Sequence, residues 1–254
     1  MKTPVKTRCS ALHVAPDVTL YHVGPPLDLG PLPTLFYFAI SGPDSLTLDP
    51  FNQPVQFLQG KMIRVFSMTL PAHENDLPAK DAMRVWAEEM ERGIDRVRPF
   101  LEDVQKGIDF AVREKFVTPE KMAISGLSRG AFIAAHVAAI DPRFRSIVGF
   151  APLTALRMIR EFRDMQENAT ANGLDLVHLA SALSDRQIKL FIGNDDTRVG
   201  TRECFEFVMA LTKEKKGKIV RAELEIYPSI GHMGHGTPPE IFKKGADWLV
   251  ASGL

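Results

Sequence analysis

The sequence holds two cysteines, no net charge and no long apolar run, and each shortage removes a class of protein. Cys9 and Cys204 cannot staple a disulfide scaffold, and neither sits in a CxxC or similar zinc-ligand spacing. Two free thiols in a reducing, cytoplasmic compartment are the expectation. Lys plus Arg total 31 against 31 Asp plus Glu, so the basic footprint of a nucleic-acid or anionic-membrane binder is missing. No apolar stretch approaches the roughly 18–20 residues of a membrane span. Met1 to Pro16 carries no apolar segment of the secretory-leader kind, so the sequon Asn168-Ala169-Thr170 is expected to go unread. HExxH is absent too: His73-Glu74 is followed by Leu77 where a second histidine would stand, and no metal is expected. What remains is 254 residues, 45% hydrophobic and 24% charged, enough to build the core of one large α/β domain over 1–254.

Periodicity orders the chain. Val18–Val23, Leu35–Ile40, Met62–Leu70, Met122–Ser125, Ser146–Ala151, Lys189–Ile192 and Ala222–Tyr227 read as strands, several of them apolar throughout as in strands covered on both faces. Between them lie helical patterns. Met83, Trp86, Met90, Ile94 and Val97 recur at helical steps, then Leu101, Val104, Ile108 and Ala111, with Pro99 as the expected break. Arg129 to Ile140 and Thr201 to Leu211 follow, the latter closed by Lys213, Lys215, Lys216 and Gly217. A last helix is expected to start at Thr237 as N-cap, with Pro238 first in the helix and Glu240 completing a capping box. Strands alternating with helices predict a mostly parallel sheet with helices on both faces. The stretch Leu153–Ser184, after the sixth strand, reads as a short helical insert.

Three motifs fall at the carboxyl ends of these strands. Gly126-Leu127-Ser128-Arg129-Gly130 lies between a strand and a helix, the setting of a nucleophile elbow. A free hydroxyl is a poor nucleophile, so Ser128 requires a base and an acid that orients it. The acid candidates are Asp195 and Asp196, in Gly193-Asn194-Asp195-Asp196-Thr197-Arg198-Val199. The base candidates are His232 and His235, in Gly231-His232-Met233-Gly234-His235. The order Ser, Asp, His is that of the α/β-hydrolases. The bland alternatives are an N-capping serine, a turn-capping aspartate, a structural histidine, or a metal site on Asp195, His232 and His235.

On these motifs the chain resembles the dienelactone-hydrolase and prolyl-oligopeptidase-like esterases, from about Leu35 onward. The resemblance implies the α/β-hydrolase fold, with 153–184 as a small cap. It assigns Ser128 as nucleophile, Asp196 as acid and His232 as base, with His235 as the alternative base. It also implies an oxyanion hole built from the Arg129 N–H and a donor in the turn Ser41-Gly42-Pro43-Asp44. Pro43 has no N–H, which leaves Gly42, Asp44 or a later residue, and Gly42 is the expected donor. The Arg129 side chain is left open between a substrate carboxylate and an internal salt bridge. The implied activity is a serine hydrolase of carboxylic esters acting on a small acyl substrate without cofactor. A peptidase or acyltransferase with the same triad, or a non-catalytic binding module, are the alternatives.

Overall fold

Leu32–Phe38 is apolar or aromatic at nearly every position, which only a strand buried on both faces can use. The computed structural model, which describes residues 9–74, 77–214 and 221–254, places that strand inside an eight-stranded sheet. In chain order the strands are β1 (Ser10–Ala15), β2 (Val18–Val23), β3 (Leu32–Phe38), β4 (Arg64–Ser67), β5 (Val117–Leu127), β6 (Ser146–Phe150), β7 (Gln187–Gly193) and β8 (Arg221–Tyr227). Their spatial order is β1-β2-β4-β3-β5-β6-β7-β8. The β1–β2 and β2–β4 pairs are antiparallel. All the others are parallel.

The helices are α1 (Gly42–Thr47), α2 (Gln53–Leu58), α3 (Ala82–Glu91), α4 (Val97–Arg113), α5 (Arg129–Ile140), α6 (Ala169–Gly173), α7 (Ala180–Leu183), α8 (Thr201–Glu214) and α9 (Pro239–Ala251). Trp86, Leu101, Phe132 and Phe207, from α3, α4, α5 and α8, bury one face of the sheet. Leu46, Leu58 and Phe242, from α1, α2 and α9, bury the other. The mostly parallel sheet covered on both faces is the architecture expected from the alternating pattern.

Several expectations shift on contact with the fold. The expected strand Met62–Leu70 keeps only Arg64–Ser67, because the chain then leaves the sheet to clamp α1. There the Leu70 N–H reaches Ile40 O at 3.1 Å and the Thr69 hydroxyl receives the Gly42 N–H. The break between α3 and α4 falls near Gly93, which takes φ +80°, and Pro99 sits in the first turn of α4 where its missing N–H costs nothing. Thr237 does not cap α9. Its hydroxyl pairs with Tyr227 Oη at 3.2 Å, and Pro238 and Pro239 open the helix with no side-chain cap. Strand β1 and helices α1 and α2 escaped the periodicity reading. Lys215, Lys216 and Gly217 lie outside the described residues.

At the amino end of β4, Arg64 is fully buried. Its guanidinium donates to the carbonyls of Pro25 (3.2 Å), Pro26, Gly30 (2.6 Å) and Phe116, tying the Pro-rich loop before β3 to the start of β5. After β6 the chain runs through short 3-10 turns and the small helices α6 and α7 before re-entering the sheet as β7.

Candidate active site

Close contact dictates the glycines around Ser128. A Cβ on Gly126 would lie 2.1 Å from Gly130 C, and one on Gly130 would lie 1.9 Å from Phe38 O. Only glycines let α5 start so close to β5 and β3. Ser128 itself is held at φ +55°, ψ −116°, a region that L residues avoid unless the surroundings enforce it. The turn lifts the side chain off the end of β5 while its backbone stays anchored. Ser128 N–H donates to Phe150 O at 2.8 Å, and Ser128 O receives Ala131, Phe132 and Leu153 N–H.

The acid loop follows β7. Asp196 is buried, and its Oδ1 accepts the N–H groups of Arg198 (3.0 Å) and Val199 (3.1 Å). Its own N–H goes to Thr201 Oγ1 at 3.0 Å. That leaves Oδ2 pointing at an imidazole, and the imidazole belongs to His235. His235 Nδ1 lies 2.7 Å from Asp196 Oδ2, and His235 Nε2 lies 2.9 Å from Ser128 Oγ. The exposed Asp195 side chain takes no part; its N–H is bound by Ser229 Oγ at 2.7 Å.

This corrects the expectation for His232. His232 is exposed and opens a 3-10 turn, His232–Gly234, in which Met233 takes φ +55° and Gly234 φ +71°. The turn is pressed onto the acid loop. Met233 O accepts Thr197 N–H at 2.9 Å, and a Cβ on Gly234 would stand 2.1 Å from Asp195 O. Gly236 N–H then returns to Ile230 O at 2.8 Å, closing the loop. The reversal swings His232 outward and delivers the next histidine to the cleft. Both histidines follow a glycine, so the Gly-His signal fits each of them. Only the left-handed turn between them decides which one arrives.

Gly42 is corrected as well. Its N–H is spent on Thr69 Oγ1 at 3.0 Å, and that of Asp44 on Ser41 Oγ at 3.2 Å. The N–H groups of Ala39 and Ile40 both converge on the buried Ser45 Oγ, at 3.1 and 2.9 Å. The N–H groups of Ala39, Ile40, Gly42 and Asp44 are therefore spent on Ser45, Thr69 and Ser41 within this part of the protein. The Arg129 N–H differs: no acceptor among the described residues takes it, and it stands at the positive end of α5 beside Ser128.

A cavity of about 230 Å³ opens over these groups, lined by Ser128, Arg129 and His235 and by the apolar Ala39, Ile40, Phe51, Leu127 and Phe242. The half-buried Arg129 side chain donates from Nη1 to Ala79 O at 2.9 Å. Burial and the nearby Arg198 push its guanidinium down to about 10, with Glu161 pulling the other way. Arg198 is itself held by a two-pronged pair with Glu161, at 2.7 and 2.9 Å. His73 is buried close by, pushed down to about 4 by desolvation and by Arg129, so it is neutral near pH 7. Among the described residues no group of three or more His, Cys, Asp or Glu side chains converges to hold a metal ion.

The prolyl oligopeptidase family (peptidase S9) matches residues 98–252, more than half the chain and the whole span from α4 through Ser128, Asp196 and His235. A search of curated proteins by sequence finds no match. Solved structures match over nearly the full length. A cold-adapted esterase from an Arctic intertidal metagenomic library is 19% identical, with TM-score 0.69, over 100% of this chain and 97% of that one. A Klebsiella pneumoniae protein assigned as a dienelactone hydrolase is 15% identical, with TM-score 0.71, over 96% and 97%. Dipeptidyl peptidase 4 of Porphyromonas gingivalis is 18% identical, with TM-score 0.69, over 98% of this chain but 35% of the peptidase.

Proposed function

The chain belongs to the prolyl oligopeptidase family of α/β-hydrolases, and from that premise we propose a serine hydrolase that cleaves a carboxylic ester or related acyl compound. The single observation that carries this reading is the unbroken contact from Asp196 through His235 to Ser128. A carboxylate only accepts, so His235 Nδ1 carries the hydrogen shared with Asp196, and Nε2 keeps a lone pair for the Ser128 proton. Ser128 Oγ attacks the acyl carbon as that proton passes to Nε2, and the carbonyl oxygen becomes an oxyanion facing the Arg129 N–H. The proton then goes to the leaving alkoxide, and the acyl group stays on Ser128. Water, deprotonated by the same imidazole, releases the acid and restores the hydroxyl. Asp196, fixed by two backbone donors, holds the tautomer and stabilises the imidazolium.

The small, mainly apolar cavity favours a compact acyl group. The family match keeps peptide and acyl-transfer chemistry by the same triad as the second reading. In the proposed arrangement the chain is one α/β-hydrolase domain, with 153–184 as its cap, supported by the ion pair from Glu161 in that segment to Arg198 on the acid loop. Cytoplasmic residence accords with two unpaired thiols, Cys9 and Cys204. The test is covalent labelling. A fluorophosphonate should add once per chain, at Ser128, and intact mass should show no adduct on Ser128→Ala. His235→Ala should slow labelling by several orders of magnitude while His232→Ala labels normally. Folded protein that stays unlabelled would refute the hydrolase reading. Acyl esters compared with aminoacyl anilides then separate ester from peptide chemistry.

A further inference from the structure

Among the described residues, the other half-buried guanidinium groups are paired with carboxylates, and the fully buried Arg64 is saturated by four backbone carbonyls. Arg96 pairs with Glu89, Arg143 with Asp109 and Asp141, and Arg198 with Glu161. Arg129 differs. Among the described residues no carboxylate lies within ion-pair distance of it, and its one hydrogen bond goes to a backbone carbonyl, which carries no countercharge. It also lines the same cavity as Ser128 and His235, in walls that are otherwise largely apolar. A cation withdrawn from water without a partner is costly, and an anion delivered by a ligand would offset that cost.

We propose that the Arg129 guanidinium is the recognition site for a carboxylate on the substrate, so that the preferred substrate is a short dicarboxylic acid esterified at one end. This rests on the serine hydrolase reading and narrows it. Ser128 would take the ester carbonyl while Arg129, the next residue along, holds the free acid at the far end of the same acyl chain. The local charge fits a monoanion. Arg129 and Arg198 are two cations and Glu161 is one anion, and Glu161 opposes a more highly charged group such as a phosphate monoester. The depressed proton affinity of Arg129 accords with this, since it comes first from burial and then from the neighbouring Arg198, against the smaller pull of Glu161.

The experiment compares 4-nitrophenyl butyrate with mono(4-nitrophenyl) glutarate, which carries a carboxylate at the end of its acyl chain. The unaltered enzyme should favour the glutarate hemiester in kcat/KM, and added salt should erode that preference. Arg129→Met should cut the hemiester-to-butyrate ratio by roughly 10- to 100-fold, mainly through KM, as loss of a charge-assisted contact does. Arg129→Lys should fall between, keeping the charge but losing the planar fork. A calorimetric titration of Ser128→Ala with glutarate should show saturable binding that Ser128→Ala/Arg129→Met lacks. A ratio unchanged by Arg129→Met, or an unaltered enzyme indifferent to the carboxylate, overturns the proposal. If Arg129→Met does not fold, the Lys variant and the salt dependence decide. Failure of the unaltered enzyme on both esters would instead sink the hydrolase reading, and the glutarate titration would still decide whether Arg129 binds carboxylate.

Discussion

Ser128 occupies a backbone conformation, φ +55° and ψ −116°, that costs a non-glycine residue on the order of 1–3 kcal/mol. Two substitutions separate that strain from the chemistry. Ser128→Ala and Ser128→Gly should both be inactive, but the glycine variant should be the more stable by about 1 kcal/mol in a denaturant titration, because only glycine sits easily at positive φ. Equal midpoints would mean that the turn stores no strain. At Asp196, exchange for Asn keeps the shape but upsets the imidazole tautomer, and kcat should fall by roughly four orders of magnitude. Asp195→Asn, on an exposed side chain whose backbone alone is engaged, should cost little. That Ser128 and Asp196 would meet across one imidazole was legible from Gly126–Gly130 and from the spacing after Gly193. Which imidazole was not legible, because Gly231-His232 and Gly234-His235 carry the same local signal and a left-handed turn separates them. Gly42 was unreadable for a related reason: its hydrogen-bond partner, Thr69, is distant in sequence.

Among the elements, those buried on both faces announced themselves. β3 and β6, and the buried inner segments of β5 (122–126) and β7 (190–193), are largely apolar, and α5 has the predicted bounds Arg129–Ile140. β1 did not, because Ser10–Ala15 is partly exposed along its length and is defined by its pairing with β2 rather than by its own pattern. Arg64 shows the limit most clearly. In sequence it is a lone charge inside the expected strand Met62–Leu70; in the fold it is a buried knot joining four carbonyls at the end of the sheet away from Ser128. Arg64→Met would strand those carbonyls and should destabilise the protein by about 3 kcal/mol or more, read as a fall in the urea midpoint. Turnover per folded molecule should survive, since the knot and the catalytic cleft lie at opposite ends of the strands.

For the molecule as a whole, His22, His73 and His136 are each buried and pushed down to about 4, mainly by desolvation. In the unfolded chain they titrate near 6.5. As pH falls below that value the unfolded state therefore takes up protons that the folded state refuses, and stability drops until the folded histidines protonate near pH 4. Unfolding free energy should decline by at most about 1.4 kcal/mol per histidine per pH unit. Between pH 6.5 and 5 ordinary carboxylates are still largely ionised, and in an Asp175→Asn background, which removes a buried carboxyl that desolvation pushes up, the histidines dominate this window. A flat stability profile there would contradict their burial as neutral groups. A different consequence follows from the position of β8. It is the last strand of the sheet, bonded to β7 on one side only, and the loop it carries is what brings His235 to Ser128. Edge elements fray before cores do. In a Trp248→Phe background, which leaves Trp86 as the one tryptophan, turnover should therefore fade at lower urea concentration than the emission of Trp86, which is sealed in the core on α3. Catalysis then becomes a gauge of whether the outermost strand has docked, and an inactive preparation that still looks folded by fluorescence would be one whose sheet has come undone at a single margin.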